Sequence, residues 1–342
     1  MKVSDLGEFG LIERLAAALA GRPGVASGDR LAAGIGDDAA VWLNGPRSSF
    51  ATIATTDTLV ADVHFLPDAT PWADVGWKAI AVNVSDIAAM GGAPEFALVT
   101  LGLPASADVE QLDELYGGVG EACEAYGVVV AGGDVVRAES MFITVALCGR
   151  AELDAQGKPL ALRRNAAQAG DAVAVTGCLG GAAGGLRALQ DGLAESESTR
   201  ALIARQRRPQ ARLAAGAAAL AAGLRCGIDI SDGLLQDLGH VCRASALGAV
   251  LRSDDLPIDP ALADVFEPEQ ALSLAAAGGE DYELLFTGGR EQIAELTREG
   301  DVPVTIIGEM VDDARAGVRL LDGAGREVEL PDAGWDHLRG AE

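Results

Sequence analysis

The sequence predicts an α/β (α+β) chain of two layered domains, on three observations. Strand-like and helix-like stretches alternate along its length. Its 342 residues, 49% of them hydrophobic, suffice for two ordinary cores and exclude a disordered chain. A polar, turn-rich stretch at 151–171 divides it, so the domains are expected at 1–150 and 151–342.

In the first half, Phe9, Ile12, Leu15 and Leu19 share one helical face over 8–20. Gly34 to Asp38 reads as a loop. Residues 49–56 read as a strand that ends at Asp57. Trp77, Ile80, Val84 and Ile87 predict a helix over 73–90. A strand over 96–103 precedes Pro104, and a long helix over 109–126 follows. Residues 128–130 read as a short buried strand that opens into Gly132-Gly133-Asp134, and 141–148 as another strand.

The second half opens with a strand over 172–176 and a glycine-rich turn from Gly177 to Gly185. Helices are expected around 186–191, 199–207 and 210–223; the last is alanine-rich, and alanine is the best helix former. A strand then reaches Asp229, and a helix runs over 233–246. Further strands fall near 249–252, 282–287 and 304–307. Asp322-Gly323 reads as a hairpin turn between 319–321 and 326–330.

Charge narrows the function. Against 26 Lys+Arg stand 51 Asp+Glu, a net −25. So acidic a chain offers no surface for nucleic acid or for anionic lipid. A phosphorylated ligand would need metal ions between the like charges. Only Lys2, Lys78 and Lys158 are lysines. A P-loop is excluded, because Glu152 stands where its first glycine belongs and Pro159 where Ser or Thr is required. The protein-kinase motif set is missing too. Cys123, Cys148, Cys178, Cys226 and Cys242 form no C-x-x-C pair, which suggests reduced thiols and a cytoplasmic address. The opening MKVSDLGEFG lacks the apolar core of a signal peptide, and the bland stretch 214–224 is too short to span a bilayer.

Most acidic residues in any protein are solvated surface. Some here stand in another context. Asp37 and Asp38 follow Gly34-Ile35-Gly36, and Asp57 follows an apolar run and Thr55-Thr56. Asp86 lies inside an apolar helical stretch, with Asn83 one turn earlier. Asp134 follows two glycines, and Asp229 and Asp232 bracket Ser231. A carboxylate among apolar residues is costly unless it is paired or bound to a cation. Hard oxygen donors suit Mg²⁺. Zinc does not fit, since His64, His240 and His337 lie far apart in sequence. Asp232, before Gly233, is either a helix cap or a ligand. Gly132-Gly133 and Gly177 to Gly181 could cradle phosphates or be ordinary turns. Arg163-Arg164 could meet a polyphosphate or be a solvated basic patch.

Several blocks together resemble one family, thiamine-monophosphate kinase, within the PurM-like (aminoimidazole ribonucleotide synthetase) superfamily. They are Gly7-Glu8-Phe9 with Leu11-Ile12, Gly34-Ile35-Gly36-Asp37-Asp38, Thr55-Thr56-Asp57-Thr58-Leu59-Val60 through His64-Phe65, and Lys78-Ala79 with Ala81 through Gly91. Gly132-Gly133-Asp134, Asp229 through Leu234 and Gly278 through Leu284 follow in order, with a Trp335-Asp336-His337 tail. The resemblance implies transfer of the γ-phosphoryl group of ATP to thiamine monophosphate. It implies a two-domain PurM-like fold, with the N-terminal domain building a barrel-like sheet across a homodimer and the C-terminal domain covering ATP.

The resemblance also implies roles. Asp38, Thr55, Thr56, Asp57, Asp86, Asp134, Asp229 and Asp232 look like a shell for several Mg²⁺ ions, with Asp57, Asp86 and Asp134 nearest the chemistry. Tyr116, Gly133, Asp134, Arg164 and Ser231 look like ATP contacts. His64, Glu280 and Trp335 look like substrate contacts. Selenophosphate synthetase is disfavoured, because the first cysteine is Cys123 and no lysine lies between Lys2 and Lys78. Another ATP-using enzyme of the superfamily, or a non-catalytic scaffold on the same fold, is the alternative. A scaffold should lose part of the aspartate set, which this chain keeps.

Overall fold

The computed structural model describes residues 3–20, 30–45, 48–299 and 302–330. The first half holds α1 (Val3–Ala20), α2 (Trp72–Ala89) and α3 (Val109–Tyr126). Its strands are β1 (Leu31–Ala33), β2 (Ala40–Leu43), β3 (Ala51–Val60), β4 (Ala93–Leu103), β5 (Val129–Arg137) and β6 (Phe142–Ala151). They form one sheet in the order β1-β2-β3-β6-β4-β5. All pairs are antiparallel except β4 with β5.

The second half builds another six-stranded sheet, in the order β12-β9-β11-β7-β10-β8. Its strands are β7 (Ala172–Thr176), β8 (Cys226–Asp229), β9 (Gly248–Arg252), β10 (Leu284–Gly288), β11 (Val304–Val311) and β12 (Val318–Leu321). Helices α4 (Gly181–Gln190), α5 (Glu197–Arg207), α6 (Leu213–Ala221), α7 (Leu234–Ser245), α8 (Pro260–Val265), α9 (Pro268–Ala277) and α10 (Arg290–Glu299) complete it. No helix among the described residues is long and apolar enough to cross a membrane.

Helix α2 positions the site. It starts after Pro71, whose fixed φ suits a helix entry, and stops before Gly91, which turns the chain at φ +71°. Every residue from Val75 to Ser85 is buried. One side packs on β3 and β6, and α6 and β8 of the second half cover the other. Ile80, Val84 and Ile87 belong to the first core, whereas Ala88 and Ala89 belong to a core with Ala215, Leu224 and Phe286. Each fully buried Ile or Val is worth about 1.5–3 kcal/mol. Arg208 reinforces the seam. It bonds Asp74 at 2.5 Å and Glu121 at 2.7 Å, and lies 5.2 Å from the Trp77 ring centre.

Several elements differ from expectation. The strand expected to end at Asp57 runs on to Val60, so Asp57 sits mid-strand opposite Val145. Where a short buried strand is expected over 128–130, Val128 is buried ahead of a nine-residue edge strand that starts at Val129 and is exposed throughout, and Gly132-Gly133-Asp134 lies inside it. Gly133 is there for close packing: a Cβ would meet the Val99 carbonyl oxygen at 1.8 Å. Helix α4 begins within the run expected as a turn. The turn at Asp322 is present, closed by Asp322 and Arg326, but returns through a single bridge from Leu321 to Glu327.

Candidate active site

Three carboxylates meet where α2, the loop before β2 and the end of β8 converge. One oxygen from each of Asp38, Asp86 and Asp229 lies within 4.8 Å of the others. Each is held by its neighbours. Thr55 on β3 donates to Asp86 Oδ2 at 2.5 Å, and Ser85 on α2 donates to Asp229 Oδ2 at 2.6 Å. Asn83 accepts the Asp57 N–H at 3.0 Å and donates to the Ala79 carbonyl, which locks β3 onto α2. Asp38, Asp86 and Asp229 thus come from two halves of the chain and still face one another.

Burial and mutual repulsion shift these acids. Burial, then the charges of Asp57, Asp229 and Asp38, push Asp86 well above the usual carboxylate range. Burial, with Asp38 beside it, pushes Asp229 up to about 8, against the pull of Ser85 and Arg164. Burial also raises Asp38, and Arg164 opposes that. The Arg164 guanidinium pairs with Asp38 Oδ1, its backbone N–H donates to Asp37 at 3.0 Å, and Arg163 lies 3.4 Å from Asp37. Asp38 Oδ2 is buried with no hydrogen-bond partner. An orphaned buried carboxylate oxygen, pointing among acids that repel, fits a hard divalent cation with oxygen ligands.

The loop after β8 faces the same space. One oxygen of the buried Asp237 accepts the N–H groups of Ser231, Asp232 and Gly233, each at 3.1 Å. Gly233 takes φ +121°, a conformation closed to other residues, as its Cβ would also meet the Ala277 carbonyl at 2.6 Å. Asp237 therefore sets how Ser231 and Asp232 are presented. Across the space, the Glu280 N–H donates to the Ser231 carbonyl at 2.7 Å. On the turn after β3, His64 Nδ1 accepts the Val60 N–H at 3.1 Å, which leaves the ring proton on Nε2.

One cavity of about 720 Å³ lies among these segments. Of the expected site residues, it gathers Asp38, Thr55, Thr56, Asp57, His64, Asp86, Arg164, Asp229, Ser231, Asp232 and Glu280. Ile12, Ile35, Val63 and Leu186 give it an apolar rim. Gly133, Asp134 and Tyr116 do not line it. Register places Asp134 opposite Thr100, Thr100 opposite Thr144, and Thr144 opposite Thr58. Three strand spacings, about 14 Å, therefore separate Asp134 from β3 of its own chain. Tyr116 is exposed on α3. Trp335 lies outside the described residues.

Neither glycine run is an open phosphate cradle. Gly132 and Gly133 pair with β4. At the other run, Asp281 already accepts from the Gly180 N–H at 2.6 Å and the Ala182 N–H at 3.2 Å. Sequence reasoning missed Lys78, Asn83, Ser85 and Asp237 as supports. A polar residue every few positions in an apolar helix was the available signal.

Two family models match the chain: AIR synthase related protein, N-terminal domain, over residues 36–151, and its C-terminal domain over residues 168–320. Thiamine-monophosphate kinase of Escherichia coli K12 is 40% identical over 315 residues, which covers 89% of this chain and 91% of that protein. The thiamine-monophosphate kinase of Aquifex aeolicus is 37% identical, over 85% and 89%. The solved structure of AaThiL complexed with AMPPCP and TMP superposes with a TM-score of 0.82 at 34% identity, over 98% of this chain and 99% of that one.

Proposed function

We infer what the site does from one premise: the chain belongs to the thiamine-monophosphate kinase family. It transfers the γ-phosphoryl group of ATP to thiamine monophosphate, releasing thiamine diphosphate and ADP. The observation that carries this reading is the convergence of Asp38, Asp86 and Asp229 in one cavity. Support comes from the AaThiL structure with AMPPCP, an ATP analogue, and TMP.

Our reading of the chemistry follows from charge. The acceptor is a phosphate monoester, mostly dianionic near neutral pH because its second pKa is about 6. One of its oxygens attacks the γ-phosphorus while the bond to the β,γ-bridging oxygen breaks and leaves with ADP. No general base is needed, and no phosphorylated enzyme forms. Asp38, Thr55, Thr56, Asp57, Asp86, Asp229 and Asp232 would hold Mg²⁺, whose charge would offset that of the two polyanions and of the transferred group. Arg164, leaving Asp38, would meet ATP phosphate together with Ser231. His64, through its Nε2 proton, and Glu280 would orient the acceptor. Asp232 serves as ligand rather than cap, since Asp237 takes the loop's amides.

The active assembly in this reading is a homodimer. Phe96 and Leu98 on β4, with Val129 and Val136 on β5, form an exposed apolar face on the sheet that also bears Gly133 and Asp134; Val130 and Val135 are exposed on the other side of the same edge strand. Pairing two such faces buries them. It also offers the Gly133, Asp134 and Tyr116 of one copy to the cavity of the other. The division at residue 150 and a cytoplasmic location belong to the same reading; the five free cysteines support the latter.

A substrate panel tests the activity. Offered thiamine monophosphate, thiamine or a ribonucleotide with ATP and Mg²⁺, the protein should phosphorylate only the first. Label from the γ-phosphate should never appear on the protein.

A further inference from the structure

We propose that Lys78 is a positioning residue for the acceptor, tying the two groups that face it, His64 and Glu280, to helix α2. This rests on the reading of those two as substrate contacts. The Lys78 Nζ lies 2.5 Å from Glu280 Oε1 and donates to the His64 carbonyl oxygen at 3.3 Å. Its side chain is 3% exposed and does not line the cavity, whereas His64 and Glu280 do. The ammonium thus acts from behind the surface that the substrate meets.

Three separate segments meet at this one group. The turn after β3 is fixed twice, by Lys78 at the His64 carbonyl and by the Val60 N–H at the imidazole. The segment before β10 carries two left-handed residues, Glu280 at φ +70° and Tyr282 at φ +51°. Such backbone persists only where its surroundings over-determine it. The backbone restraints are the bonds from the Glu280 N–H to Ser231 and from the Tyr282 N–H to Ile230, with Asp281 held by the Gly180 and Ala182 amides; the ion pair with Lys78 is what fixes the Glu280 side chain. The third segment is α2, on which Asp86 follows Lys78 by eight residues, about 12 Å of helix rise. One rigid helix therefore holds the acceptor-facing groups at one level and a metal-facing carboxylate at another.

The residue type supports the role. Only three of the 26 basic residues are lysines, and of the two among the described residues Lys78 is the buried one paired to a carboxylate. A compact ammonium can direct its protons to acceptors in different directions, whereas the planar guanidinium fork of arginine is larger and donates in one plane. Arginine at this position would keep the charge and misplace its partners.

In the full-length enzyme, Lys78→Met is expected to raise KM for thiamine monophosphate about tenfold or more, while KM for ATP moves by less than about twofold. Lys78→Arg keeps the charge and covers the case in which the methionine variant does not fold. It should show the same one-sided rise, of about threefold or more. Adding Glu280→Gln to either variant should cost less than the product of the two single effects, because both changes break the Lys78–Glu280 tie. Equal rises in both KM values, an unmoved KM for thiamine monophosphate, or independent effects in the double variant would overturn the proposal. Histidine NMR of the ligand-free protein separates this from the activity reading: the His64 ring signal should shift in Lys78→Arg and the His240 signal should not. A wild type that makes no thiamine diphosphate sinks the proposed function, and an unmoved His64 signal sinks the Lys78 tie alone.

Discussion

Ser85 on α2 donates a 2.6 Å hydrogen bond to Asp229 at the end of β8, and both residues are buried. The bond joins the two halves at the carboxylate cluster. Its loss in Ser85→Ala should cost about 1–3 kcal/mol of stability, as expected for a buried polar group left unmet. Removing a support one shell from the metal should also raise the Mg²⁺ needed for half-maximal turnover by about tenfold. Thermal melting and a Mg²⁺ titration check the two effects. An unchanged Mg²⁺ requirement would show that Asp229 needs no such support.

The cluster should make the metal-free protein less stable as pH rises. Asp229 sits near 8 when folded, and burial and its neighbours hold Asp86 high as well. In the unfolded chain both return to about 3.9. The folded state therefore binds more protons above about pH 4, so stability falls from about pH 4 through about pH 8. Mg²⁺ replaces those protons and should raise the melting temperature more at pH 8 than at pH 6. Melting in EDTA and in Mg²⁺ across that range is the test. A stabilisation by Mg²⁺ that shrinks with rising pH would contradict it.

Asp86→Asn should separate stability from activity. The amide removes one of several crowded charges, yet its oxygen can still accept from Thr55. In EDTA the variant should melt at or above the wild-type temperature. With Mg²⁺ its turnover should fall by on the order of a thousandfold. Loss of both fold and activity would mean that Asp86 is a structural acid.

Charge on the apolar sheet face should break the assembly. Leu98 is half exposed on β4. Burying an unpaired carboxylate there is costly, so Leu98→Asp should sediment as a monomer. Turnover should drop by about a hundredfold or more, because Asp134 would no longer reach a second cavity. A monomer with full activity would refute the shared site.

The fold was legible where periodicity and punctuation agreed. Helix α2 was expected over 73–90 and spans Trp72–Ala89, because Pro71 and Gly91 bound a continuous apolar stretch. Strand β5 misled because an apolar run carries no sign of what will cover it; Val129 and Val135 are more than half exposed in the single chain. Strands β1 and β2, of three and four residues, are too short to show a period. Helix α4 hid behind its glycines, which let it approach α5: a Cβ on Gly185 would meet the Leu202 carbonyl at 2.2 Å. In the site, the aspartates stood out because their neighbours are apolar. Lys78, Ser85 and Asp237 did not, because a buried polar side chain gains meaning only from a partner far along the chain.

Acids from both halves would hold magnesium between two phosphorylated molecules. That is tested most directly by following thiamine diphosphate and ADP together, from ATP and thiamine monophosphate, in Mg²⁺ and in EDTA. Equal amounts of both products are expected in Mg²⁺, none in EDTA, and almost none from Asp57→Asn or Asp86→Asn. Turnover that persists in EDTA, or that either substitution leaves unchanged, would contradict this role.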